Sequence, residues 1–257
     1  MGKGKRIRDR RLRCIPSHMP AVRDAMVEHM RSVEEKTMES ATPFERVIIR
    51  SRPVSESIRA ASLWYVSRDM TEVARVAAMD GAPRVDPPTQ SGLMFFGGEI
   101  KAGVERLWGL FWVDYGSTIF VSAVADRGDG SLDMTMTHIG WLEDIAMAVW
   151  ALSLEKSVCD VVDETSNAAP SGSRQDKPDP MARTVKMVVL REGARASSRD
   201  GGDWSGYDHR FIVRGFWRDQ PCGPNHSERR RQWIPPFIKG PKDAPLVIKD
   251  TVNVWRR

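Results

Sequence analysis

The apolar positions of this chain change period partway along its length. Val22, Met26, Met30 and Val33 recur at helical spacing after Pro20, whose missing N–H is tolerated in a first helical turn. Ile58, Ala61 and Tyr65 predict a second helix over 55–65. A third is predicted from Asp69, which stands with Glu72 at capping-box spacing ahead of Val73, Val76 and Ala77. The proline-rich connector 83–90 closes this helical segment, 20–82. Beyond it Gly92–Phe96, Leu107–Val113 and Thr118–Val124 read as strands separated by turn clusters. Residues 132–139 alternate, with Leu132, Met134, Met136 and His138 on one face. Together they predict an antiparallel meander with one wet face. A long helix over 142–162 follows, with Glu143 and Asp144 at its positive end. Its stripe of Leu142, Ile145, Val149, Leu152 and Cys159 is expected to pack across the sheet. The fold class expected is α+β: N-terminal helices, then a mainly antiparallel sheet carrying a long helix.

Outside these elements the pattern fades. Residues 1–19 begin with too little apolar surface to offset the entropy of ordering, so a flexible basic arm is expected. Residues 163–182 contain no aromatic and are rich in Ser, Pro, Asp and Asn; with 194–206 they read as disordered insertions. Between them Arg183–Leu190 resumes strand character, and Leu246–Trp255 reads as a final strand. The sheet region is therefore expected to run over 91–257.

Composition adds little to the fold and more to the partners. Hydrophobic residues make up 41% and charged residues 28% of 257, an average globular balance. The longest apolar run, Ile145–Leu152, is far short of the roughly 20 residues a spanning helix needs, so no membrane segment is expected. The basic N-terminus lacks the apolar stretch of a secretory signal, and Cys14, Cys159 and Cys222 are odd in number and far apart. Reduced thiols and a cytoplasmic location follow as expectations. The net charge is +5, yet residues 1–13 and 207–257 each carry +6, leaving −7 between them. Such separation suggests ends that meet a polyanion.

The densest mixture of arginine and aromatic residues lies in 207–240. If His209–Arg218 is one strand, period two puts Arg210, Ile212, Arg214, Phe216 and Arg218 on one face and His209, Phe211, Val213, Gly215 and Trp217 on the other. The first face is then a guanidinium ladder around a ring, the combination with which single-stranded nucleic acid is held: arginine on phosphate, rings and guanidinium planes on bases. Arg229, Arg230, Arg231, Trp233, Phe237 and Lys239 extend the surface on the returning stretch. An arginine-rich sheet face with Trp217 and Trp233 in the core is the structural alternative, and an acidic protein surface is the alternative partner.

Other chemistries are thinner. Cys222, His226 and His209 are plausible zinc ligands, but structural zinc wants four, in close pairs. Asp126–Gly130 places Gly128 and Gly130 where a calcium loop needs oxygens, so a hairpin turn is the better reading. Asp208, His209 and Glu228 come nearest to a phosphodiester site, and His138 reads as a core histidine. The turn Val66-Ser-Arg68 raises a helix-turn-helix, but the following helix offers only Arg75 to base edges, and a structural helical hairpin is the better reading. Phosphate-cradling, dinucleotide and nucleophile-elbow motifs are absent. No cofactor and no metal are expected.

Val213-Arg-Gly-Phe-Trp-Arg-Asp-Gln220 and Trp233-Ile-Pro-Pro-Phe-Ile-Lys-Gly-Pro-Lys-Asp-Ala-Pro-Leu246 resemble the C-terminal block of largely uncharacterised proteins of phages, plasmids and actinobacterial genomes. The block is also distantly similar to the C-terminal part of an anti-CRISPR group directed against type V-A effectors, which is thought to suppress production of the effector from its mRNA. The resemblance implies a mobile-element accessory protein. It departs from the pattern at Phe216, where relatives often carry His, and at Phe237, where they carry Tyr; the first departure favours binding over catalysis. The expected function is a non-enzymatic phage or mobile-element protein that binds RNA or single-stranded nucleic acid through Arg210, Arg214, Phe216, Arg218, Arg229, Arg230, Arg231, Trp233 and Lys239. The alternatives are a host-directed protein-interaction factor and a nuclease-like enzyme centred on His209.

Overall fold

Leu63-Trp-Tyr-Val66 and Leu107-Trp-Gly-Leu-Phe-Trp-Val113 are apolar without alternation, which is the pattern of strands covered on both faces. The computed structural model, which describes residues 15–51, 53–102, 105–126, 132–135, 140–165, 184–191, 208–241 and 244–247, places them at the centre of a seven-stranded sheet. A 3-10 turn at Pro16–His18 leads into three helices, α1 (Met19–Ser40), α2 (Pro43–Ser51) and α3 (Val54–Arg59). Strand β1 (Ser62–Val66) follows, then α4 (Arg68–Met79) and the meander β2 (Ser91–Ala102), β3 (Glu105–Asp114), β4 (Ile119–Asp126) and β5 (Leu132–Thr135). Helix α5 (Gly140–Ser153) precedes the pair β6 (Cys159–Thr165) and β7 (Thr184–Leu190). The spatial order is β5-β4-β3-β2-β1-β7-β6. Strand β1 runs parallel to both neighbours, β2 and β7, and every other pairing is antiparallel. The fold is α+β with a mixed, mainly antiparallel sheet.

Both faces of the meander strands β2 to β4 are covered, so the single wet face expected of the meander is corrected. On one side α1 and α3 bury Met19, Val22, Met26 and Ile58 against Leu63, Leu93, Phe95 and Phe111. On the other, α4 and α5 bury Val73, Ala77, Ile145 and Val149 against Trp64, Met94, Leu110 and Trp112. The Trp112 ring meets Trp150 of α5 edge-on at 5.3 Å, and Gly92 lies beneath it because any Cβ there would sit 2.1 Å from the indole.

Three further expectations change. The helix over 55–65 ends at Arg59, and Ser62–Val66 is the central strand β1; three residues at helical spacing are too few to outweigh a Leu-Trp-Tyr-Val run that favours an extended chain. The turn at Val66–Arg68 therefore joins a strand to a helix, neither a helical hairpin nor a helix-turn-helix, and α4 is the crossover that parallel pairing of β1 with β2 requires. Its cap is Ser67, whose hydroxyl accepts from the Met70 N–H at 3.4 Å. The long helix over 142–162 stops at Ser153, and Cys159 opens β6, where the Sγ donates to the Leu152 carbonyl at 3.1 Å. Residues 163–165 belong to that strand. The rest of the 163–182 insertion, the 194–206 insertion, the arm up to residue 14, Met136, His138 and residues 248–257 lie outside the described residues, as do residues 127–130 of the expected hairpin turn. Among the described residues no helix is long and apolar enough to cross a membrane.

Candidate functional site

Residues 208–241 and 244–247 form a separate layer over α4. Strands β8 (Phe211–Val213), β9 (Phe216–Cys222), β10 (Glu228–Ile234) and β11 (Phe237–Lys239) pair as β8 with β11 and β9 with β10. Phe237 faces Val213 and Ile234 faces Phe216, so the two pairs share one register and make a single long hairpin. It is interrupted where Arg214-Gly215 faces Pro235-Pro236. Two consecutive prolines have no N–H to give a ladder, and Gly215 passes so close that a Cβ would lie 2.9 Å from the Pro236 ring. The tip turns through Gly223, Asn225 and His226, all at positive φ.

This break corrects the continuous strand expected over His209–Arg218, and it changes which side chains face the body. Before it, Ile212 and its partner Ile238 pack on the α4/α5 core; after it, Trp233 is buried there and its partner Trp217 donates its indole N–H to the Gly81 carbonyl at 3.3 Å. Ile212 faces inward in β8 and Trp217 in β9, five residues apart, so the ribbon turns over at the break while its pairing register is kept. The single arginine ladder is thereby divided.

Its lower half is an anchor. Arg210 donates through Nε to the Ala244 carbonyl at 2.7 Å and through a terminal nitrogen to Asp69 at 3.4 Å. Arg214 grips Asp80 with Nε at 2.8 Å and a terminal nitrogen at 2.6 Å. Asp69 lies in the first turn of α4 and Asp80 is its C-cap, so the two arginines pin the hairpin to both ends of one helix. The Asp80 side chain is only 9% exposed. Trp233 is 8% exposed. Arg210, Arg214 and Trp233, expected to face a ligand, are thus engaged within the protein; Lys239 is half-buried, its ammonium 6.0 Å from the Phe237 ring.

The upper half is different. Arg218, Arg229, Arg230 and Arg231 are exposed, and among the described residues none of them pairs with a carboxylate. Arg231 lies over the Trp217 ring at 4.8 Å, and Phe216 is half exposed at the base of the ribbon. In register, Arg218 stands opposite Gln232 and Gln220 opposite Arg230 on one face; Asp219 faces Arg231 and Pro221 faces Arg229 on the other. The arginine excess was legible in the sequence. The glutamines were missed, since only the pairing register shows that they alternate with arginines.

His209 and Asp208 form a contact of 2.6 Å, and this hydrogen bond holds the Asp208 carboxyl below its ordinary range. Glu228 pairs with Cys222 beside the tip, about 40 Å of strand path from His209 at ~3.3 Å per residue, so the three do not assemble into a phosphodiester site. Among the described residues no three His, Cys, Asp or Glu side chains gather as metal ligands. Of the two segments that carry the resemblance, 213–220 runs from the end of β8 through most of β9, and 233–246 starts at the end of β10 and includes β11 and the bridge partner Leu246. No protein-family model and no curated protein matches the chain.

Proposed function

We propose that this protein binds nucleic acid through the distal half of its C-terminal hairpin. One observation carries the reading: Arg218, Arg229, Arg230 and Arg231 stand exposed on a two-stranded ribbon, with none of the carboxylate pairing, among the described residues, that occupies Arg210 and Arg214. Unpaired guanidiniums lose little on leaving water for phosphate, and each phosphate neutralised releases counterions. A mobile-element accessory role, as the resemblance implies, is part of the proposal; which nucleic acid is bound, with RNA or a single strand as the sequence leads one to expect or a duplex instead, is decided by the test.

The test is a salt titration of binding by the full chain to single-stranded RNA, single-stranded DNA and duplex DNA. Four neutralised phosphates give a slope of log K against log salt of about −3 on a single strand and about −3.6 on a duplex. Replacing Arg229, Arg230 and Arg231 together by Gln is expected to flatten the slope by roughly 2 to 3. Failure to bind all three ligands at low salt, or an unchanged slope in the triple variant, overturns the proposal. So does nuclease-resistant capture of a host protein that the triple variant no longer recovers.

A further inference from the structure

Arg218, Gln220, Arg230 and Gln232 share one face of the distal ribbon as two cross-strand pairs, Arg218 with Gln232 and Gln220 with Arg230, so each strand contributes one arginine and one glutamine in alternation. All four side chains are without a hydrogen-bond or ionic partner among the described residues, and three of the four are exposed. Arginine and glutamine are the side chains that make bidentate contacts to guanine and adenine edges. We infer that this face reads base edges in the major groove of B-form duplex DNA, an inference that rests on the nucleic-acid reading above and names the form of its ligand.

Geometry selects the duplex. Strands ~4.8 Å apart form a ribbon that the ~12 Å major groove of B-DNA admits and the ~6 Å minor groove does not. Successive positions on one face lie ~6.6 Å apart along a strand, close to two base-pair rises of ~3.4 Å, so the two rows of the Arg/Gln face meet base pairs two steps apart. The ribbon is open on both faces from Arg218 to Gln232 apart from the half-buried Gln220, Pro221 and Cys222, and Arg229 on the opposite face is free to take a phosphate of the groove wall. A single strand would want stacking platforms, yet 218–232 contains no Phe, Tyr or Trp, and the Trp217 ring is already covered by Arg231. An RNA duplex offers a major groove too deep and narrow for side chains to read.

The experiment is selection of preferred sites by the full chain from a random-sequence duplex pool, followed by competition with the matching single strands and with an RNA duplex of the same sequence. The selected site should contain guanine or adenine at positions two steps apart. Replacing the selected guanines by 7-deazaguanine, which removes the major-groove N7 acceptor, should weaken binding roughly 5- to 150-fold per contact. Gln220→Ala and Gln232→Ala should each relax the preference at one position while leaving the salt slope unchanged, because neither alters charge. A pool without base preference, equal binding to 7-deazaguanine duplex, or equal competition by single strands or RNA duplex overturns this inference and leaves nucleic-acid binding intact. Absence of binding to every nucleic acid overturns both.

Discussion

Replacing Arg214 by alanine tests the anchor directly. Arg214 is 56% exposed and Asp80 only 9%, so the pair lies between a surface ion pair, with a median of about 0–1 kcal/mol, and a buried one, whose breaking costs about 3–5 kcal/mol. The asymmetry decides what each single variant does. Arg214→Ala leaves a carboxylate in a desolvated place whose second oxygen already has no partner, at the negative end of α4, where an anion is disfavoured by a further ~0.3–1 kcal/mol. We expect a loss of about 2 kcal/mol. Asp80→Asn leaves instead a half-exposed guanidinium that water can solvate, and it removes the unfavourable charge from the helix end; its cost should stay below about 1 kcal/mol. The double variant should lie close to Asp80→Asn alone, a coupling of about 2 kcal/mol, within the range measured for residues in contact. Urea unfolding of the four proteins, followed by tryptophan fluorescence because Trp217 and Trp233 sit beside the pair, gives the cycle. A loss under about 0.5 kcal/mol in Arg214→Ala, or additivity in the double variant, refutes the assignment of Arg214 as an anchor.

Trp233→Ala should cost about 3–5 kcal/mol in urea, as removal of a buried indole does, whereas Trp233→Phe should leave nucleic-acid affinity within about twofold; a large affinity loss in the phenylalanine variant returns Trp233 to the binding surface. Burial, helped by the nearby Asp160 carboxylate, pushes the Cys159 thiol from 9.0 up to about 11. The fold therefore favours the protonated thiol, a contribution fully present below about pH 9 and lost as pH rises toward 11, when the S–H to Leu152 is also lost. A urea midpoint that falls over that window in the parent and less in Cys159→Ala is the expected result. Native labelling at neutral pH, mapped by mass spectrometry, should modify Cys222 and spare Cys159 until urea is added.

Much of the fold was legible because its strands are long and apolar. The meander β2 to β4, the first helix and β7 follow from period and turn residues alone. What misled was short-range coincidence. Ile58, Ala61 and Tyr65 fall at helical spacing by accident, and Cys159 follows Leu152 at a helical interval although the chain turns between them. Central strands buried on both faces lack the alternation that announces a strand, so β1 was hidden by the very property that puts it in the middle of the sheet. At the hairpin the composition was readable and the parity was not. One glycine opposite two prolines reverses which residues face inward, and nothing in a period-two count reveals that reversal.

The division of the arginines follows from what a ribbon needs in order to project. A lone two-stranded hairpin is marginal in water, so its extended end is held only if its base is fixed to something larger. Here the base is fixed at three points: Arg210 at one end of α4, Arg214 at the other, and Trp233 sunk into the α4/α5 core. Residues so engaged hold the hairpin in place, and the arginines that have no carboxylate partner among the described residues begin at Arg218, beyond the Trp217 hydrogen bond to Gly81. Removing the anchors and removing the distal arginines should therefore differ in kind. Arg214→Ala lowers stability and weakens ligand binding only through loss of the docked hairpin, so a stabilising osmolyte that restores docking should restore affinity. The Arg229/Arg230/Arg231→Gln variant should keep its stability to within about 1 kcal/mol, the worth of the exposed Arg231 contact with the Trp217 ring, and stay weak under the same osmolyte. If both variants respond alike, the two halves of the hairpin do not have the separate roles assigned to them.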